Sequence, residues 1–146
     1  AYHRIRTSGL TGVVGTFLGR VEAGDLQAFT TTTLVAEAVH KILLAEAVEQ
    51  HGLRPTGVVT RLKEKPALVR SLAHRTVTSD ILGSGVAIEP VTSQLLVRAE
   101  QLMTLHGLLT NDSITLAAME RLGLTDIATN DDDFDSVAGL TVWKPR

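Results

Sequence analysis

The sequence contains no cysteine, and this absence limits the kinds of site that it can build. Disulfides and thiolate metal sites are both excluded, so a bound metal would need oxygen or histidine ligands. Such a ligand set favours hard cations. The lack of cysteine is also compatible with the cytoplasm, and the first four residues show no apolar signal-peptide region. We therefore expect a cytoplasmic location.

Aromatic residues and long apolar runs are also scarce. One Trp, one Tyr and three Phe provide no aromatic platform on which nucleic-acid bases would stack. No apolar run approaches the roughly 20 residues that cross a bilayer, so no membrane partner is expected. Gly-rich phosphate loops and a serine-hydrolase elbow are absent, and the histidines lack the spacing of a zinc site.

Length and composition indicate one domain, and two segments within it carry opposite net charge. A chain of 146 residues can bury one hydrophobic core, and no repeat or linker interrupts it, so we predict a single domain over residues 1–146. Residues 54–75 carry six Lys or Arg and one acid, whereas residues 112–135 carry seven acids and one Arg. The basic segment is suited to contact phosphates, and a solvated helix face is its equally valid alternative.

Apolar spacing and helix-breaking residues predict alternating helices and strands. Helices are predicted at about 10–21, 34–50, 66–82, 92–105 and 112–122, and strands at about 26–33, 86–91, 126–129 and 140–143. Thr92 should cap one helix, and Thr110 or Asn111 another. Strands separated by such helices form a parallel sheet with helices on both faces. The predicted class is therefore α/β, a three-layer α/β/α fold with a central, mostly parallel sheet.

Acidic residues follow two of the predicted strands. Functional groups gather at the carboxyl ends of parallel strands, so Glu37 and Asp131 should lie at one edge of the sheet. Each acid also has a plain alternative. Glu37 can pair with Lys41 one turn later, Asp112 can favour a helix start, and residues 130–133 can form a solvated turn. Taken singly, none of them indicates an enzyme.

Two motifs become specific when they are read together and in order. Residues 30–39, TTTTLVAEAV, run from a strand into a helix that carries Glu37. Residues 107–145 begin with GLLTND, continue with ATNDDDF and end with GLTVWKP. Over about the last 130 residues this arrangement resembles the PIN domains, metal-dependent ribonucleases. The resemblance is to VapC-like toxins of toxin–antitoxin pairs.

The resemblance implies a PIN-like fold and an endoribonuclease that depends on Mg²⁺ or Mn²⁺. It implies metal ligands at Glu37, Asp112 and Asp131, with Asp133 as a further catalytic acid. Thr129 and Asn130 would support the site, and RNA would be placed by Arg61, Lys63 and Lys65. The expected partners are RNA, a cognate antitoxin protein and a second copy of the chain. The alternative is a non-catalytic PIN-like protein-interaction module.

The sequence departs from the family's pattern in one respect. PIN domains begin with a strand that carries an aspartate, whereas no aspartate precedes Asp25 in this chain. Residues 1–10 resemble the loop and helix start that follow that strand. A sheet without its central strand would leave backbone edges unpaired. We therefore expect the first strand and its aspartate to be missing upstream of Ala1, and metal binding to be weak without them.

Overall fold

The protein alternates helices and strands along its length. A computed structural model describes residues 11–71 and 76–144, without the side chains of residues 11–14. The elements in chain order are α1 (Thr11–Glu22), β1 (Phe29–Thr31), α2 (Thr32–Glu49), α3 (Val58–Glu64), α4 (Pro66–Ser71), α5 (Val77–Gly83), β2 (Ala87–Glu89), α6 (Ser93–His106), α7 (Thr110–Leu122), β3 (Asp126–Ala128) and β4 (Thr141–Trp143). A short 3-10 helix, Asp133–Ser136, lies between β3 and β4. Over these residues, every helix is too short or too polar to cross a membrane.

The strands form two parallel pairs, which confirms the predicted α/β class. Strand β1 pairs with β2, and β3 pairs with β4. Thr31 lies opposite Glu89 in the first pair, and Ala128 lies opposite Trp143 in the second. Across residues 11–71 and 76–144 no ladder joins the two pairs. In these residues the predicted central sheet is therefore present as two separate two-stranded parallel sheets.

The first strand is shorter than predicted because a threonine caps the following helix. The strand was expected at 26–33 from its four threonines, but α2 already begins at Thr32. Thr31 Oγ1 accepts a hydrogen bond from the backbone N–H of Leu34 at 3.3 Å. This contact satisfies one of the free N–H groups at the helix start, so capping prevails over strand propensity here.

The helix predicted at 66–82 corresponds to two elements, α4 and α5. Residues 72–75, which lie between them, fall outside the described residues. Leu10, the predicted start of the first helix, does so as well, and α1 is described from Thr11. Within the basic segment, residues 54–75, the described residues form two short helices, α3 and α4.

The main core lies between α6 and α7. Thr92 caps α6 as predicted, with its Oγ1 accepting the N–H of Leu95 at 3.3 Å. Along α6, Leu95, Ala99 and Leu102 recur at helical spacing and are buried against α7, where Ile114 and Leu116 are buried in turn. A smaller cluster joins α2 to α3 through Ala47, Val58 and Leu62. The α6–α7 core is the support for the acids described next.

Candidate metal centre

Asp112 lies in the first turn of α7, directly before two buried residues. Ser113 is fully buried, and its Oγ donates to the carbonyl oxygen of Leu108 at 3.4 Å. Ile114 is buried in the α6–α7 core. These neighbours hold the start of the helix firmly, and Asp112 itself is half-buried. The carboxylate also benefits from its place near the positive end of the helix dipole.

The turn after β3 presents two further carboxylates. The N–H of Asp131 donates to Thr129 Oγ1 at 3.0 Å, and the N–H of Asp133 donates to Asp131 Oδ1 at 3.0 Å. Phe134, the next residue, is buried and anchors the turn. The Thr129 side chain therefore holds the backbone of this turn, while Asn130 is an exposed side chain.

Three acids from these two segments meet in space. Asp112, Asp131 and Asp133 each offer a carboxylate oxygen, and the three oxygens lie within 4.8 Å of one another. Asp112 is half-buried, and the other two are exposed. Parallel topology had predicted that Asp131 would lie at a functional edge, and the packing of α7 brings Asp112 to the same place. The site is an all-oxygen cluster.

The pKa of Asp112 is raised above its usual value. The main cause is partial desolvation, followed by repulsion from the charges of Asp131, Asp133 and Glu37. A bound cation would offset all three repulsions, because it favours the ionised carboxyl. The metal-free fold therefore carries an electrostatic cost that a cation would relieve.

Glu37 lies beside this cluster and is held by two partners. Its Oε1 forms an ion pair with Lys41 Nζ at 2.6 Å, and its Oε2 accepts from Asn111 Nδ2 at 3.1 Å. The hydrogen bond from Lys41 is the main reason that the pKa of Glu37 is lowered. The pairing of Glu37 with Lys41, its plain alternative, is therefore present. Glu37 is also bonded to Asn111, the residue directly before Asp112.

The Asn111 contact also corrects the expected helix cap. Neither Asn111 nor Thr110 caps α7, because the cap position is Leu109 and no side chain bonds there. The amide of Asn111 instead reaches across to α2. A sequence pattern does not distinguish these roles, since Asn serves equally well as a cap or as a long-range donor.

The comparison with known families agrees with this geometry. The family model described as PIN domain matches residues 21–140, which is most of the chain. This chain belongs to the PIN domain family. No curated protein and no solved structure gave a significant match. PIN domains are generally nucleases and typically use a divalent metal, and the acidic cluster of this PIN domain lies within the matched residues.

Lys144 is a charged neighbour of the cluster that the sequence did not single out. Its ammonium donates to Asp132 and, at 2.6 Å, to Asp135 Oδ2. The pKa of Asp132 is lowered by this hydrogen bond, and the pKa of Lys144 is raised by both partners. The available signal was a lysine directly after the last strand and close in sequence to an aspartate run.

The basic residues of the PIN domain divide into two kinds. Arg61 donates through Nη1 to the carbonyl oxygens of Arg54 at 3.0 Å and Thr56 at 2.7 Å, so it closes the turn before α3. Lys63 and Lys65 are exposed. The predicted role of Arg61 in placing RNA is therefore in competition with a structural one, whereas both lysines project into solvent.

We predict that Asp112→Asn stabilises the metal-free chain at neutral pH. Because the pKa of Asp112 is raised, the folded chain holds this proton more tightly than the unfolded chain does. The contribution of protonated Asp112 to the free energy of unfolding is fully present below the pKa of the unfolded chain, about 3.9. It is lost as the pH rises through the pKa of Asp112 in the folded chain. Removing the charge should raise Tm by about 1–4 °C at pH 7, with no gain below about pH 4.

Thermal unfolding followed by circular dichroism in EDTA, at both pH values, measures this effect. Glu100→Gln is the matched control, because Glu100 is an exposed acid on α6 outside the cluster, and its Tm should not change. A lower Tm for Asp112→Asn at pH 7 would show that desolvation and carboxylate repulsion do not destabilise the ionised Asp112 in the folded chain.

Proposed function

We propose that this PIN domain hydrolyses RNA phosphodiesters with the help of Mg²⁺ or Mn²⁺. The observation that carries the proposal is the meeting of Asp112, Asp131 and Asp133, whose carboxylate oxygens lie within 4.8 Å of one another. In the described part of the chain, no Lys or Arg forms an ion pair with any of these three acids. Their charges are therefore available to a cation.

The donor set fits this metal. Mg²⁺ takes oxygen ligands in near-octahedral geometry, and it usually binds through one or two carboxylates while keeping several waters. The cluster supplies three donors of that type, and the raised pKa of Asp112 reflects partial desolvation together with nearby negative charge, which a divalent ion would offset. Glu37 lies to the side of this cluster, with its carboxylate held by Lys41 and Asn111.

A bound divalent ion supplies charge stabilisation at the phosphate and lowers the pKa of an attacking water. The residues of the chain hold and orient the site. Asp112 is fixed by the α6–α7 core, and Asp131 by its backbone bond to Thr129. Asn111 keeps the Glu37 carboxylate turned towards the start of α7. Positioning of this kind reduces the entropic part of the barrier.

Lys63 and Lys65 are proposed to contact the phosphate backbone of the RNA. Both are exposed, with Lys63 in the last turn of α3 and Lys65 directly after this helix. Each phosphate contact releases a counterion, so binding should weaken as salt rises. Arg61 contributes to the shape of this surface through its bonds to Arg54 and Thr56.

We predict Mn²⁺-dependent cleavage of RNA that is lost in Asp112→Asn and Asp131→Asn. Each substitution removes one carboxylate charge from the cluster, and the rate should fall on the order of 10²-fold or more, as it does when a preorganised electrostatic group is lost. Single-turnover cleavage of labelled single-stranded and structured RNA, with Mn²⁺ or with EDTA, measures the rate.

Two control variants accompany the cleavage measurement. Glu100→Gln should cleave like the wild type, and the double variant Lys63→Gln/Lys65→Gln should raise KM more than it lowers the single-turnover rate. Equal activity in EDTA and Mn²⁺, or full activity in Asp112→Asn, would exclude the metal-dependent nuclease. Absence of cleavage together with unchanged metal binding by Asp112→Asn would favour the non-catalytic interaction module.

We also propose that the protein is the toxin of a toxin–antitoxin pair and forms a homodimer. The support is the resemblance to VapC-like toxins, together with an apolar groove between α2 and α3. The groove is lined by Leu44, Ala45, Val48, Pro55 and Val58, with Glu49 as its one acidic residue. Exposed apolar surface of this kind suits a protein partner. In this role an antitoxin suppresses RNA cleavage until it is removed.

Expression of the chain from an inducible promoter in a bacterial host tests the toxin role. We expect growth arrest with the wild type and normal growth with Asp112→Asn, provided that both accumulate to the same level. Normal growth with an active wild-type nuclease would contradict the toxin role and leave the nuclease role intact. Sedimentation of the purified protein as a monomer at micromolar concentration would contradict the homodimer.

We further propose that one more strand, with an aspartate at its end, completes the sheet. In the described residues β1 and β3 each pair on one side only, and the two parallel pairs are not joined. A strand placed between them would satisfy both open edges. Its carboxyl end would lie at the same edge as Asp131, because parallel strands end together.

The gene sequence directly upstream of the Ala1 codon tests this proposal. We expect an open reading frame that encodes a short apolar strand carrying an aspartate. A start codon adjacent to Ala1, or an upstream segment that has no acid, would contradict it. A protein that includes the segment should bind Mn²⁺ more tightly than the chain of residues 1–146, because it adds a carboxylate ligand.

A further inference from the structure

Lys144 emerges beside the acidic turn because β3 and β4 are parallel and in register. Ala128 lies opposite Trp143, and the N–H of Thr129 donates to the carbonyl oxygen of Trp143 at 3.0 Å. The residues that follow the two strands therefore leave the same edge of the sheet side by side. Lys144 comes directly after β4, and the acidic turn comes directly after β3.

The side chain of Lys144 lies across this turn and does not extend into solvent. It is 28% exposed, whereas Lys41 in its ion pair on α2 is 73% exposed. Its ammonium contacts two carboxylates of the same turn, Asp132 and Asp135. These partners are 86% and 48% exposed, so each would point freely into water without the lysine.

The acids at this edge are thereby divided into two groups. Asp131 and Asp133 join Asp112 in the cluster, while Asp132 and Asp135 pair with Lys144. The turn has one apolar anchor, the buried Phe134, which is flanked by acids of both groups. One lysine thus pairs with two carboxylates of the turn, and the cluster acids face each other.

We propose that Lys144 is a positioning residue of the metal centre, which holds Asp132 and Asp135 aside so that Asp131 and Asp133 stay directed at Asp112. This inference rests on the proposed function. Without Lys144, the five carboxylates at this edge would repel each other. The turn could then take other arrangements, in which Asp132 and Asp135 compete with the cluster acids for the metal ion. Residues that orient metal ligands without touching the metal commonly matter about 10–100-fold for affinity.

A purely electrostatic effect of Lys144 has the opposite sign. A positive charge close to a cation site weakens cation binding, so its removal would make binding tighter. Loss of a positioning contact makes binding weaker, because the ligands no longer share one arrangement. The direction of change on removing Lys144 therefore separates the two effects.

Calorimetric titration of the full chain with MnCl₂ tests the proposal. We expect Lys144→Met to bind Mn²⁺ roughly 10-fold more weakly than the wild type and Lys144→Arg to stay within about 2-fold of it. Arg98→Met is the control, since it removes an exposed interhelical ion pair with Glu120 away from the site, and its affinity should not change. Thermal unfolding of each variant confirms that it is folded.

A second set of variants tests whether Lys144 acts through its two partners. In the double variant Asp132→Asn/Asp135→Asn there is no carboxylate left for Lys144 to hold aside. Lys144→Met should then cause no further loss of Mn²⁺ affinity, which a general loss of folding would not reproduce. If Lys144→Met alone does not fold, Mn²⁺ affinity can still be compared between Asp132→Asn/Asp135→Asn and the triple variant that also carries Lys144→Met.

The failure of this inference differs from the failure of the proposed function. Mn²⁺ affinity in Lys144→Met equal to or tighter than the wild type, or loss of affinity that Lys144→Arg does not rescue, overturns the role of Lys144 alone. Equal Mn²⁺ binding by the wild type and Asp112→Asn overturns the metal centre, and the role of Lys144 with it.

Discussion

Packing between α6 and α7 is the constraint on which the candidate site depends. Leu102 and Ser113, both fully buried, fix the two helices against each other, and Val137 belongs to the same core. Val137 follows the 3-10 helix of the acidic turn. One hydrophobic cluster therefore holds both Asp112 and the segment that carries Asp131. Burial of apolar side chains stabilises this core, and the core in turn keeps like charges close together.

Some acids near the site form ion pairs with lysines, whereas the three cluster acids form none with the Lys and Arg side chains of the described residues. Lys41 pairs with Glu37, and Lys144 pairs with Asp132 and Asp135. Exposed ion pairs of this kind contribute little to stability, typically about 0–1 kcal/mol, so their main effect is on where side chains point. Asp112 belongs to the cluster, and its pKa is raised first by partial desolvation and then by repulsion from the neighbouring carboxylates. An unrelieved cost at a specific place is a common mark of a functional site.

Much of the fold was predictable because it depends on local chemistry. The spacing of Leu95, Ala99 and Leu102 and the cap at Thr92 define α6, and glycines with positive φ at 107 and 123 end α6 and α7. Errors arose where one residue type serves two purposes. Threonine favours strands and also caps helices, so the end of β1 was misplaced. Asn111 looked like a cap and is a long-range donor.

The sequence by itself determined the α/β class and the family, because periodicity, capping and motif order are properties of neighbouring residues. The tertiary structure alone decided which acids meet. Asp133, predicted as a further catalytic acid, belongs to the cluster with Asp112 and Asp131, whereas Glu37 lies beside it in contact with Lys41 and Asn111. The position of Lys144 was also decided by the tertiary structure, since the register of β3 and β4 brings it to the acidic turn. Distances between segments far apart in sequence depend on how helices and strands pack, and no local pattern records them.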